Sequence, residues 1–303
     1  MRNAPVAVFA YKRADALANL LRSLAKCDGY QDTEIFIFVD GPKASGDAEE
    51  VKAVRAVADA SANGHVHVRA SEENLGLKAS ISRGVTELTK TYGRVIVLED
   101  DLEVSSNALI YFNAALDKYE DDLRVWSISG FMYAVPALSG RREAFFLPFA
   151  HPWGWATWDR AWRHYNINAA PTLENSRSRS FKEAFSMYGL ANFAQMMKLA
   201  QDGLLNSWYL PWYYMIFAKG GVSLFPPRPL VVNHGIGGKH ATHGSRLNPH
   251  RMLMPKAKLS DSTIELPDVV EIDFSAIDVI RRSWDARLHR LVNLGGAIKR
   301  RLK

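Results

Sequence analysis

Residues Val95-Ile96-Val97-Leu98-Glu99-Asp100-Asp101-Leu102-Glu103 restrict this chain's fold more than any other stretch. An apolar run rich in Val and Ile stops abruptly at three consecutive carboxylates. Such a run reads as a strand buried on both faces, the kind found in parallel sheets covered by helices. Like charges packed together at the end of a buried strand are costly. A cation is therefore expected where the strand ends, and a divalent metal carrying a diphosphate is the economical candidate.

The preceding hundred residues supply the rest of such a sheet. Strand patterns at Val6–Ala10, Glu34–Val39, His65–Ala70 and Arg94–Leu98 alternate with helical spacing at Leu17, Leu20, Leu21 and Leu24, at Val51, Val54 and Val57, and at Ile81, Val85, Leu88 and Tyr92. This βαβαβαβ rhythm predicts an α/β fold with a mostly parallel sheet and right-handed crossovers. Polar residues gather where the strands end: Tyr11-Lys12-Arg13, Asp40-Gly41, Glu72-Glu73-Asn74 and Glu99-Asp100-Asp101. Ligands of open α/β sheets bind at those carboxyl ends. In the second half, Ala144–Phe149 reads as a strand and Phe181–Ala200 as one helix. Trp155, Trp158 and Trp162 also fall at helical spacing.

Composition narrows the class. With 48% apolar and 23% charged residues the chain is an ordinary globular protein. A net charge of +6 over 303 residues is too modest to indicate nucleic acid. The single cysteine, Cys27, forms no intrachain disulfide and fits a reducing compartment. No signal-peptide pattern opens the sequence, and no window is apolar enough to span a bilayer. The expected location is the cytoplasm, soluble or peripheral on the inner face of the plasma membrane. The peripheral contact would run through 279–303, where Ile280, Trp284, Leu288, Leu291 and Ile298 share a face among many arginines; that face equally suits packing on the domain with the arginines in solvent.

The candidate site residues each carry two readings. Asp40 accepts a nucleobase N–H or caps a turn. Asn74 caps a helix or lines the site, and Lys78 faces a phosphate or the solvent. Tyr11 and Arg13 stack on a base and reach a phosphate, or form a basic helix entry. The four tryptophans between 153 and 162 are core, or one lines a sugar pocket. The segment His234–Gly244 is a glycine-rich surface loop, or it orders over a ligand with His243 as its functional histidine, a candidate metal ligand beside Asp101.

Taken together, the Glu99-Asp100-Asp101 string, the Tyr11-Lys12-Arg13 opening, Asp40-Gly41 and the Phe149–Trp162 block resemble GT-A glycosyltransferases over residues 4–245. The likeness is to the branch of the animal Golgi N-acetylglucosaminyltransferase that starts complex N-glycans, and to bacterial polysaccharide sugar transferases. The resemblance implies that Asp101 binds Mn²⁺ or Mg²⁺, Asp100 approaches the ribose and Glu99 touches the donor sugar or acceptor. It further implies that Asp40 reads the base in a pocket lined by Ala10 and Tyr11. The family's aspartate base has no counterpart: Asn206-Ser207-Trp208 stands at the corresponding place, and neither Asn nor Ser is a general base at neutral pH.

The expected protein is a metal-dependent hexosyl- or N-acetylhexosaminyltransferase. It would move sugar from a nucleotide diphosphate sugar, a UDP-sugar first, to a glycan or lipid-linked saccharide. The expected organisation is a GT-A domain at 1–245, split near residue 103 into nucleotide-binding and acceptor halves, followed by an extension at 246–303. The alternatives are a sugar nucleotidyltransferase and an inactive glycan-binding relative. The first would need a glycine-rich loop after the opening strand, and none is present.

Overall fold

A computed structural model describes residues 3–171, 175, 177–187, 193–235 and 259–283. Four parallel strands form one half of an eight-stranded sheet: β1 (Val6–Ala10), β2 (Ile35–Val39), β3 (Val66–Ala70) and β4 (Arg94–Glu99), in the spatial order β3-β2-β1-β4. Each lies within a residue of its expected position. Val95, Ile96, Val97 and Leu98 of β4 are all buried, as an apolar run without alternation requires. Each such side chain contributes about 1.5–3 kcal/mol by leaving water.

Helices cover both faces. Helices α1 (Ala14–Leu24) and α2 (Ala48–Ser61) bury Leu17, Leu20, Leu24, Val54 and Ala58 on one side, joined by α4 (Ala108–Lys118). Helix α3 (Leu77–Tyr92) buries Ile81, Val85 and Leu88 on the other. The connection from β3 to β4 thus crosses on the opposite face and brings β4 beside β1, so the strand order reverses at β1. Between two such strands the carboxyl ends open a crevice.

The second half of the sheet is mixed rather than parallel. Strand β8 (Trp155–Trp158) runs antiparallel to β4 and to β6 (Val125–Ser129); β9 (Val222–Phe225) pairs parallel with β6, and β7 (Phe145–Leu147) closes the edge antiparallel to β9. A separate two-stranded ribbon joins β5 (Leu102–Val104) to β10 (Val231–Asn233).

Two expectations need correction here. The tryptophan spacing is not helical: Trp155 and Trp158 sit on β8 and point into opposite cores, and Trp162 ends the one-turn helix α5 (Asp159–Trp162). Residues 181–200 are not one helix. Helix α6 (Arg179–Phe185) ends before Met187, which adopts a left-handed φ of 47°, and α7 (Phe193–Gln201) starts afresh. Ile280 belongs to α9 (Phe274–Arg282), which ends at an extended Ser283. It is buried against the main core, so the helix up to Arg282 packs on the domain. Trp284, Leu288, Leu291 and Ile298 lie outside the described residues.

The second aromatic cluster forms α8 (Tyr209–Ala218), which packs Trp212 and Tyr213 against Trp155, Trp162 and Phe185. Residues 259–283 pack on the same body. The backbone of Glu265 bonds Arg142 and Ala144, Asp273 N–H donates to the Phe146 carbonyl, and Tyr119 Oη donates to the Pro267 carbonyl at 2.6 Å. This strap shields the edge strand β7 from pairing with another chain.

Candidate functional site

Glu99, Asp100 and Asp101 emerge at the carboxyl end of β4, and Arg13 follows the adjacent end of β1. They share the crevice between those strands. The Arg13 guanidinium spans both aspartates, donating to Asp101 Oδ2 at 2.7 Å and to Asp100 Oδ1. Asp100 is almost wholly buried and also accepts the Tyr11 N–H. Loss of hydration pushes its carboxyl up to about 6 against the opposing pull of Arg13. Glu99 is pushed up to about 8, chiefly by loss of hydration and then by the charges of Asp101 and Asp100. Its carboxyl accepts a hydrogen bond from the Trp208 side chain.

The far wall comes from β10. Asn233 Nδ2 donates to Asp101 Oδ1 at 3.2 Å, and His234 N–H donates to the Asp101 carbonyl at 2.8 Å. Asn233 Oδ1 accepts the Gly235 N–H at 2.8 Å. A Cβ on Gly235 would lie 1.9 Å from Asp101 Oδ2 and 2.9 Å from an Arg13 nitrogen. Only glycine lets the backbone pass this close to the carboxylate. His234 pairs with Glu103 at 2.6 Å, further along the ribbon. His243 and the rest of its loop lie outside the described residues.

Asp40 occupies the end of β2 and is buried. Its carboxylate accepts from Gly41 N–H (3.0 Å), Leu75 N–H (2.8 Å), Gly76 N–H (2.8 Å) and Asn74 Nδ2 (3.1 Å). Asn74 Nδ2 also reaches the Gly41 carbonyl at 2.8 Å. A Cβ on Gly41 would fall 2.5 Å from the Glu73 backbone, so glycine permits this close meeting of loops. Asp40 and Asn74 therefore tie the loop leading into α3 onto the end of β2. Lys78 sits in the first turn of α3, at the mouth of that loop. Ala10 is buried at the end of β1, where its carbonyl accepts the Asp40 N–H at 3.0 Å. Tyr11 Oη donates to Asp47 Oδ2 at 2.7 Å, and Lys12 pairs with the same carboxylate at 2.7 Å. These bonds hold the Asp47 carboxyl at about 2 and fix the β1–α1 turn.

The aromatic block divides. Trp155, Trp158 and Trp162 are core residues. Trp153 is half-buried, edge-on to Phe131 and His151 beside the site end of β8. Trp208 stacks on Trp155 at 5.3 Å. Two aspartates near the missing base in sequence are elsewhere in space. Asp159 N–H bonds the Gly93 carbonyl just before the opposite end of β4, about 20 Å from Glu99 at 3.3 Å per residue. Asp202 is paired with Lys198 on α7 at 3.3 Å.

Sequence reasoning missed the β10 wall and Trp208. The first had a faint signal, the run Leu230-Val231-Val232-Asn233 after Pro229. The second stood beside Asn206-Ser207 in a run whose aromatics all look like core.

The arrangement is a buried acidic pair with a guanidinium counter-ion at the crevice between β1 and β4. Residues 6–177 match the sequence profile of glycosyl transferase family 2. The chain belongs to glycosyl transferase family 2. It is a glycosyltransferase of GT-A α/β fold, as its motifs led one to expect. No curated protein matches it. Among solved structures it is similar to GalNAc-T7 with UDP, GalNAc and Mn²⁺, at 13% identity and a TM-score of 0.45. That match covers 74% of this chain but only 43% of the other. It is also similar to the mannosyltransferase PcManGT from Pyrobaculum calidifontis with GDP-Man and Mn²⁺, at 14% identity, a TM-score of 0.41 and coverage of 73% and 70%. The galactosyltransferase LgtC with donor and acceptor sugar analogs gives 14%, 0.38 and 72% of each chain. Likeness at this level says nothing of which sugar or acceptor this glycosyltransferase uses. No described helix is long and apolar enough to cross a membrane.

Proposed function

We propose that this glycosyltransferase takes its sugar from a nucleotide diphosphate sugar, a UDP-sugar first, and uses a divalent cation held by Asp101. The observation that carries the reading is the Asp100–Asp101 pair at the crevice between β1 and β4, crossed by Arg13. The donor set fits a hard cation. It offers carboxylate oxygens, and a diphosphate completes the shell that Mg²⁺ or Mn²⁺ prefers. Among the described residues no cluster of three or more metal-ligating side chains exists, so the protein alone would make a weak cage. Bound there, the cation would supply charge neutralisation to the departing diphosphate.

This chain's own residues do the rest. Arg13 and Lys78 present positive charge to the phosphates. Asp100 stands nearest the turn after β1, where a ribose would lie. Glu99, backed by Trp208, faces the donor sugar or the acceptor hydroxyl. Asp40 holds the base-side loop in place, and would contact the base only by giving up one of its four hydrogen bonds. Trp153 offers an apolar face to a sugar. The acceptor we favour is a glycan or lipid-linked saccharide, with 104–245 forming its half of the domain. The absence of an Asn206 or Ser207 carboxylate leaves Glu99 as the acid nearest the reacting end.

Titration calorimetry of UDP with and without Mn²⁺ tests the reading. Asp101→Ala should abolish Mn²⁺-coupled UDP affinity, a loss of tenfold or more, with an unchanged circular dichroism spectrum. Undiminished binding by the variant would refute the assignment. Nucleotide release from a panel of donors then names the sugar.

A further inference from the structure

We infer that Arg13 is an internal counter-ion that a divalent cation must displace, so that cation and nucleotide diphosphate bind cooperatively. The inference rests on the assignment of the cation to Asp101 made above.

Each of the four carboxylate oxygens of the acidic pair already carries a hydrogen bond. Asp100 Oδ1 and Asp101 Oδ2 accept from Arg13, Asp100 Oδ2 from Tyr11 N–H at 3.4 Å, and Asp101 Oδ1 from Asn233. Asp101 Oδ2 is hemmed in from two sides. Arg13 occupies one approach, and the Gly235 backbone lies so close on another that a Cβ there would fall 1.9 Å away. The Arg13 side chain is 23% exposed, while the aspartates it bridges are 2% and 11% exposed. The guanidinium therefore forms the solvent-side cover of the pair.

A cation entering from solvent meets Arg13 first. Once on Asp101 it would stand within a few ångströms of a like charge, which repels it. Arg13 must therefore leave at least one aspartate. It can do so at small cost only where another anion receives it. A diphosphate in the crevice is such an anion, and the planar guanidinium forks onto phosphate oxygens as readily as onto carboxylates. The side chain already projects from the turn that opens α1, whose N-terminal N–H groups also favour phosphate. Without nucleotide the displaced charge has no partner, and the cation binds poorly. With nucleotide the exchange is matched charge for charge. Such coupling is reciprocal: nucleotide binds weakly without cation for the same reason.

The test measures free Mn²⁺ by electron paramagnetic resonance, with and without UDP, for the parent protein, Arg13→Gln and Arg13→Lys. The parent should bind Mn²⁺ at least tenfold more tightly with UDP than without. Arg13→Gln should bind Mn²⁺ at least tenfold more tightly than the parent in the absence of UDP, and its enhancement by UDP should shrink toward unity. Arg13→Lys, which keeps the charge but not the fork, should stay close to the parent without UDP. Thermal melts confirm that the variants fold. Equal nucleotide-free affinity in the parent and Arg13→Gln, with UDP-dependent Mn²⁺ binding intact in both, would overturn the counter-ion role and leave the Asp101 assignment standing. Absence of Mn²⁺ binding in the parent even with UDP would overturn both.

Discussion

Replacing Asp40 by alanine should cost stability before it costs recognition. The carboxylate accepts three backbone N–H groups, from Gly41, Leu75 and Gly76, and the side-chain amide of Asn74. Alanine leaves those donors without an acceptor except for the water that reaches the loop of Leu75 and Gly76. At about 1 kcal/mol for each backbone donor, the loss is about 3 kcal/mol. A chain of 303 residues unfolds with an entropy of about 0.6 kcal/mol/K, so the melting temperature should fall by about 5 °C. Asp40→Asn keeps one acceptor oxygen and should fall by roughly half as much. The assay is a thermal melt followed by circular dichroism, run beside UDP titration of the same samples. If Asp40→Ala melts within 1 °C of the parent while UDP affinity drops tenfold, the latch argument is wrong and the aspartate contacts the base directly.

Two further outcomes follow from the site. Gly235→Ala pushes a methyl group into Asp101 and should reduce Mn²⁺-dependent UDP affinity at least tenfold in calorimetry while the protein stays folded; unchanged affinity would show that Asp101 need not keep this position. The folded protein binds more protons than the unfolded chain between the ordinary carboxyl range and the values of about 6 for Asp100 and about 8 for Glu99. These two groups thus contribute stability that is fully present at acid pH and lost as pH rises toward 8. Urea midpoints of the ligand-free protein should fall from about pH 4.5 to about pH 8, and Glu99→Gln should flatten the part of that slope above about pH 6; parallel profiles for the two proteins would contradict the raised Glu99 value.

The nucleotide-binding half was legible because its signals are local. Apolar runs at Val6–Ala10 and Val95–Leu98, helical spacing at Leu17 to Leu24 and turns at Asp40-Gly41 each state their structure within a few residues. The acidic string needed only its place after a buried strand to be noticed. The second half resisted because its strands are short and its aromatics ambiguous. Trp155 and Trp158 lie three apart, which suits a helix, yet strand pairing with β4 and β6 overrode that spacing. Two buried indole nitrogens in that core, on Trp155 and Trp212, have no partner among the described residues, while Trp162, Tyr209 and Tyr213 are hydrogen-bonded there. Asn233 and Gly235 were invisible for another reason. Their role depends on a pairing across about 130 residues, and no local pattern encodes which strand a segment will meet.

That pairing means that the family match, which ends at residue 177, does not contain a whole site. A fragment cut at that boundary would keep Asp100 and Asp101 but lose the amide that steadies one and the backbone that walls it in. Strand β5 would have an open edge, and the acidic pair would keep only Arg13 and the Tyr11 N–H of the partners described above. Swapping early segments between relatives is therefore expected to transfer nucleotide preference only when the later partner strand travels with them.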